Sequence, residues 1–246
     1  MKQSIFKVLS NKNIAKDVYE MTLSGDTSDI SATGQFVNIE LQGMYLRRPI
    51  SVCDYSENYL KLIYKAVGRG TEYMSTLEAG AKLDILTGLG NGYDTSLSGD
   101  RPLLIGGGVG VPPMYALAKK LISEGKTVSV ILGFNSECDV FYEDEFKALG
   151  CKVSVATADG SYGTRGFVTD CLDAAGFYTH FYTCGPEPML KALYKATKTS
   201  GQFSFEERMG CGFGACMGCS CKVITGYKRI CKDGPVLEKE EILWEN

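Results

Sequence analysis

The stretch Leu103-Leu-Ile-Gly-Gly-Gly-Val-Gly-Val-Pro-Pro113 decides how the chain is organised. Three apolar residues read as a buried strand. A glycine-rich loop follows, and then prolines suited to the first turn of a helix. Glycines let backbone approach a diphosphate closely, and the following helix N-terminus favours its negative charge. Gly107, Gly108 and Gly110 are the candidate contacts. The spacing departs from the strict G-x-G-x-x-G fingerprint, so the loop alone is not the common dinucleotide motif.

Downstream of this stretch, strands and helices alternate. Strands are predicted at Thr127 to Leu132, Lys152 to Val155 and His180 to Thr183. Helices are predicted at Pro112 to Ser123, Val140 to Leu149, Phe167 to Ala175 and Pro188 to Thr197. That alternation argues a parallel sheet with helices on its faces. The last strand runs into Cys184-Gly185-Pro186, where ligands bind such sheets. Cys184 is read as lining a nicotinamide pocket, with a packed thiol as the alternative. No basic cluster follows Leu132-Gly-Phe-Asn-Ser136, which favours NADH over NADPH; the folded position of Arg165 bears on this.

Upstream, the pattern differs. Phe36 to Leu41 and Tyr59 to Tyr64 alternate apolar and polar residues, and turn signals recur at Ser24-Gly25, Thr33-Gly34 and Asn91-Gly92. Short strands at this spacing predict a small antiparallel barrel. Arg48-Pro49-Ile50-Ser51 follows the first of these strands, and Ile63-Tyr64-Lys65 ends the second. An arginine fork suits a diphosphate, and a serine hydroxyl can bond a flavin or its ribityl chain. Gly68-Arg-Gly70-Thr71 opens a helix predicted near Thr71 to Leu77, where free amides form a phosphate site. Together these features point to a flavin.

The third region, from about Phe205, is rich in glycine and cysteine and has little periodicity. Cys211, Cys216, Cys219 and Cys231 are spaced C-x4-C-x2-C-x11-C. The first three match plant-type 2Fe-2S spacing. Four thiolates supply two for each iron. Gly212, Gly214 and Gly218 let the loop wrap with its amides toward sulfur. A structural zinc is the alternative, although such sites usually pair two short knuckles. Cys221 is read as a thiol packed beside the site, with replacement of Cys219 as ligand the other reading. The expected domains are 1–98 (FAD-binding barrel), 99–204 (NAD-binding α/β) and 205–246 (2Fe-2S). The fold class is α+β multidomain.

Bulk properties set outer limits. The 246 residues carry a net charge of -3, so nucleic acid is not an expected partner. No apolar run is long enough to cross a bilayer, no signal core opens the sequence, and a cytoplasmic protein without a membrane partner is expected. Five of the ten cysteines lie outside the cluster: Cys53, Cys138, Cys151, Cys171 and Cys184. They are expected to be buried thiols acting as small hydrophobes. The single histidine, His180, is read as structural.

Barrel, glycine loop and Cys-Gly-Pro together resemble the ferredoxin-NADP reductase superfamily. With the cysteine segment and Cys231-Lys-Asp-Gly-Pro235 added, the order of motifs is similar to that of the electron-transfer subunits of B-type dihydroorotate dehydrogenases. The resemblance implies FAD held by Arg48, Pro49, Ile50, Ser51, Ile63, Tyr64, Lys65, Gly70 and Thr71. It implies iron held by Cys211, Cys216, Cys219 and Cys231, and NAD at the α/β domain. It further implies a catalytic partner subunit carrying FMN, which oxidises dihydroorotate to orotate in pyrimidine biosynthesis, and a heterotetramer with two copies of each subunit. A related reductase subunit serving another partner, such as a sulfide dehydrogenase or ferredoxin-NADP oxidoreductase, shares the layout.

Overall fold

Strand β3 (Phe36–Ile39) is buried along its whole length, on both faces. One face is ordinary: Val37 and Ile39 point into a barrel core with Phe6, Met21, Leu23 and Leu62. Phe36 points the other way, as the period of two requires, and packs with Leu89, Phe205, Cys219 and Cys231. The alternation expected for Phe36 to Leu41 is therefore present in direction but not in exposure. The C-terminal segment covers the face that would otherwise meet water.

The computed structural model describes residues 1–244. Its barrel comprises β1 (Lys2–Ala15), β2 (Val18–Ser24), β3, β4 (Arg48–Ser56), β5 (Tyr59–Lys65) and β6 (Lys82–Leu89). The strands close in the order β1-β2-β5-β4-β3-β6, with all pairs antiparallel. Helix α1 (Arg69–Ser75) lies between β5 and β6, about two residues earlier than its sequence suggests. Strand β1 is longer than the short strands expected. Only Phe6 and Val8 of its 14 residues are buried, so its sequence gives little periodic signal.

The second sheet contains β7 (Pro102–Gly107), β8 (Ser129–Phe134), β9 (Lys152–Thr157), β10 (Thr164–Arg165), β11 (His180–Cys184) and β12 (Gly201–Ser204). These six strands are mutually parallel. Helices α2 (Val111–Ser123), α3 (Glu143–Ala148), α4 (Leu172–Ala175) and α5 (Glu187–Ala196) connect them. Two helices are shorter than expected. Tyr142 stands before α3 in a left-handed conformation, with φ of 67°, so no helix can run through from Val140. In the stretch from Phe167 to Ala175, a 3-10 turn precedes α4, and Gly176 at φ of 75° ends the helix.

The C-terminal segment forms the hairpin β13 (Ser220–Val223) and β14 (Gly226–Arg229). It then contributes β15 (Val236–Glu238), which pairs antiparallel with β12. The large sheet thus runs β10-β9-β8-β7-β11-β12-β15. Trp244 packs on Tyr194, Phe203 and Phe205, with ring centroids 5.3 to 5.7 Å apart. Four of the five scattered cysteines are buried, as expected. Cys138 is exposed instead, because it lies on a one-turn 3-10 helix with Ser136 and Asp139 beside it.

Hydrogen bonds across the seams fix the parts to one another. Tyr142 donates to the Glu20 carboxylate at 2.6 Å, and Lys119 pairs with Asp54 at 2.7 Å, joining α/β domain to barrel. Asn91, just beyond β6, holds β15 with both ends of its carboxamide. Its Nδ2 donates to the Val236 carbonyl at 2.8 Å, and its Oδ1 accepts from the Val236 amide at 3.0 Å. Replacing it by alanine removes both bonds, a loss of about 2 kcal/mol. Asn91→Ala is expected to unfold at lower urea concentration and to raise amide exchange in β15 before other strands.

Candidate redox site

Two cavities lie where the three parts meet. The first, of about 420 Å³, opens at the carboxyl ends of β7 and β11. The sheet order reverses there: β8 and β9 lie to one side of β7, and β11 and β12 to the other. Such a switch point leaves a crevice because the connections depart to opposite faces. Gly107, Gly108 and Pro186 line it, with Phe134, Asn135 and Phe167 beyond them. Arg165 is exposed and packs over Gly160, next to the lining residues Gly166 and Phe167.

Gly110, Cys184 and Gly185 support this cavity from behind. A Cβ on Gly110 would lie 2.3 Å from the Cys184 carbonyl oxygen, so a glycine is required for the two motif loops to touch. Gly185 packs in the same way against Met189, which lines the cavity. The Cys184 side chain is 1% exposed. Burial pushes its thiol well up; the Glu206 charge adds to this and a hydrogen bond from Ser204 opposes it.

The second cavity, of about 320 Å³, lies between the barrel and the C-terminal segment. Pro49, Ile50 and Ser51 of β4, Ile63, Tyr64 and Lys65 of β5, and Thr71 form its barrel side. Arg48 and Gly70 sit together just outside: a Cβ on Gly70 would be 2.3 Å from Arg48 Nε. Thr71 Oγ1 accepts from the amides of Val67 and Gly68, engaging the start of α1. Tyr64 donates to Asn11 at 2.9 Å and stacks on Tyr19, so its ring is a fixed part of the wall. Apolar walls with Ser51 and Lys65 at their edges suit a planar ring with a polar rim.

The opposite wall was not legible in the sequence. Phe205, Glu206, Met209 and Pro235 supply it. Glu206 is open to the cavity but ringed by protein, and this burial pushes its carboxyl up. Nothing in the spacing around Glu206 marks it, because only the docking of the C-terminal segment brings it there. Lys65 and Val109 line both cavities, so the two chambers share a wall. Lys65 is held from one side by Asp139 at 3.3 Å.

The cysteine loop lies behind that opposite wall. Its sulfurs fall into two groups joined by backbone amides. Ala215 and Cys216 amides donate to Cys211 Sγ at 3.2 and 3.4 Å. Cys211 and Gly218 amides donate to Cys216 Sγ, each at 3.5 Å. The Cys231 amide donates to Cys219 Sγ at 3.4 Å. Burial pushes the Cys211 thiol up, but the amides of Phe213, Cys216 and Ala215 outweigh it and bring the thiol down to about 6. Burial and the neighbouring Cys219 push Cys231 up to about 12. Among the described residues no three of these side chains form a closed cage. Two pairs of soft donors with amides aimed at sulfur fit a 2Fe-2S group, which takes two thiolates at each iron. Cys221 lies on β13, and its thiol is directed at the Lys222 carbonyl at 3.7 Å.

Residues 206–243 match the model of the iron-sulfur cluster binding domain of dihydroorotate dehydrogenase B, and residues 104–195 match that of the oxidoreductase NAD-binding domain. The chain is 44% identical, over 99% of both chains, to the dihydroorotate dehydrogenase B (NAD(+)) electron transfer subunit of Geobacillus sp. (strain WCH70). It is 46% identical to the subunit of the same name from Fusobacterium nucleatum subsp. nucleatum, over 93% of this chain and 94% of that one. The chain belongs to this family. Among solved structures, that of an NADH-dependent reduced ferredoxin-NADP oxidoreductase superposes with a TM-score of 0.87 at 29% identity, covering 97% of this chain and 89% of that one. As in the family's name, the chain is an electron-transfer subunit, with an iron-sulfur segment and an NAD-binding domain. No described helix is long and apolar enough to cross a membrane.

The contact between Gly110 and Cys184 holds the two motif loops together at the switch-point cavity. Gly110→Ala forces the β7 and β11 loops apart, a cost of about 1–3 kcal/mol, which corresponds to roughly 5- to 150-fold in nucleotide affinity. A raised KM for NADH in a dye-reduction assay, with FAD retained, is the expected result.

Proposed function

We propose that this chain passes electrons between NAD at the switch-point cavity and an FMN-containing catalytic subunit that converts dihydroorotate to orotate. FAD occupies the barrel-side cavity, and a 2Fe-2S cluster is held by Cys211, Cys216, Cys219 and Cys231. The observation that carries this reading is the shared wall. Lys65 and Val109 border both cavities, and the segment bearing the cysteines forms the far side of the second. Flavin, when bound, exchanges a hydride with nicotinamide and single electrons with the cluster.

The chain's own residues bind and orient. Gly107, Gly108 and Pro186 shape the nucleotide cavity, while Gly110, Cys184 and Gly185 hold its two loops together. Pro49, Ile50, Ser51, Ile63, Tyr64, Lys65 and Thr71 line the flavin side. Arg48, lying over Gly70, brings a cation to its edge. His180 is buried against Gln202 and Tyr182, with burial lowering its pKa, and reaches neither cavity. The base that takes a proton from dihydroorotate is assigned, in this reading, to the partner. Exposed Phe213 and Met217 flank Cys216 and supply an apolar surface for that partner beside the cluster. A heterotetramer of two copies of each subunit, in the cytoplasm, completes the proposal.

A second reading is favoured by the solved reductase at 29% identity: the same relay serving a different partner. The full-length relatives at 44% and 46% identity favour the dihydroorotate reading. Mixing the purified chain with its co-purifying flavoprotein should yield orotate from dihydroorotate with NAD+ reduced. If the complex of the two reduces no NAD+ with dihydroorotate, the first reading fails.

The ligand assignment has its own test. Cys219 is 2% exposed and takes the Cys231 amide, whereas Cys221 turns its thiol elsewhere. Cys219→Ser is expected to abolish the visible absorbance of the cluster and Cys221→Ser to preserve it. The reverse pattern would place Cys221 on iron.

A further inference from the structure

Asn38 is a polar residue at a position where the fold has no need of one. It lies mid-strand on β3, is 1% exposed, and shares its outward face with Phe36. Its cross-strand neighbour is Pro49 of the flavin-side segment. Its Nδ2 donates to the Cys211 carbonyl at 3.2 Å. Its Oδ1, also buried, meets no hydrogen-bond partner among the described residues. A buried acceptor left unpaired is costly, and an apolar side chain of similar size would avoid that cost. The carboxamide is thus poorly explained by packing, and its donor half is the part in use.

The loop approaches this amide closely. A Cβ on Gly212, which has φ of 78°, would lie 2.3 Å from Asn38 Nδ2. Gly212 therefore meets two demands, a left-handed backbone and clearance for the Asn38 side chain. The carbonyl that Asn38 grips belongs to the residue whose sulfur accepts from the amides of Ala215 and Cys216. Holding that peptide fixes the backbone from which the Cys211 sulfur reaches those amides.

We infer that Asn38 is a positioning residue that anchors the cluster loop to the flavin-bearing barrel through the Cys211 carbonyl, setting both the hydrogen bonding to Cys211 sulfur and the placement of the cluster relative to the flavin. The inference rests on the reading of Cys211 as an iron ligand. Amide donors to sulfur stabilise the reduced, more negative cluster, so a loosened loop lowers its potential. Partners that orient a metal's ligands typically contribute about 10–100-fold in metal affinity or activity.

The test uses the complete chain with FAD and cluster. Asn38→Leu removes the donor and keeps the bulk. The expected result is a more negative cluster midpoint potential, a changed EPR line shape of the reduced cluster, and loss of iron to a chelator roughly tenfold faster, with flavin content retained. An unchanged potential, line shape and chelation rate in a variant that keeps FAD overturns the inference. Should Asn38→Leu fail to retain FAD, Asn38→Ala removes the same donor without adding bulk and is read on the same three measurements: changed supports, unchanged overturns. A wild-type chain that gives no EPR signal on reduction would fail at the earlier step, the assignment of the cluster itself.

Discussion

Burial of both faces of β3 is the constraint on which the arrangement depends. A barrel this small fills its interior with Val37, Ile39 and their neighbours, and leaves Phe36 and Asn38 facing outward. Covering Phe36 removes an aromatic side chain from water, worth about 1.5–3 kcal/mol. The segment that covers it carries Phe205, Cys219 and Cys231. Hydrophobic burial at one strand therefore places the cysteine loop against the flavin side of the barrel. Asn91 then ties β15 to the end of the barrel, and Trp244 packs the end of that segment on the sheet.

The same docking makes the barrel-side cavity. Before it, Pro49, Ile50 and Ser51 are the edge of a barrel; after it, they face Glu206 and Met209 across a chamber. The nucleotide cavity has a different origin. Its floor follows from strand order, since β7 and β11 are neighbours whose connections leave in opposite directions, and Val18 and Lys65 of the barrel close one side. Seam contacts such as Tyr142 with Glu20 hold barrel and α/β domain together, so that each contributes to both chambers. Electron transfer between a nicotinamide and a cluster needs this adjacency more than any single catalytic group.

The four cysteines proposed as iron ligands are not equivalent. Cys216 is exposed and Cys211 partly so, while Cys219 and Cys231 are 2% exposed. Amides converge on the first pair, and at Cys211 they favour the thiolate, whereas burial favours the neutral thiol at Cys231. One side of the loop thus faces outward beside Phe213 and Met217, and the other is built into the protein core. That asymmetry gives the relay an inner and an outer end.

Much of this was written in local sequence. Glycines in a loop between strand and helix, a Cys-x4-Cys-x2-Cys run, and the change from period-two strands to strand–helix alternation each depend on residues a few positions apart. They determined the barrel, the parallel sheet and the character of the cysteine segment. Boundaries slipped where a local conformation overrode periodicity, as at Tyr142 and Gly176. What the tertiary structure alone decided is who faces whom. Glu206 in the barrel-side cavity, Asn38 against Cys211, β15 completing the large sheet, and Gly110 against Cys184 all join residues far apart in the chain. Such pairings leave no periodic or spacing signal, because they arise when separately folded surfaces bury one another, and the sequence near either partner carries only its own half of the contact.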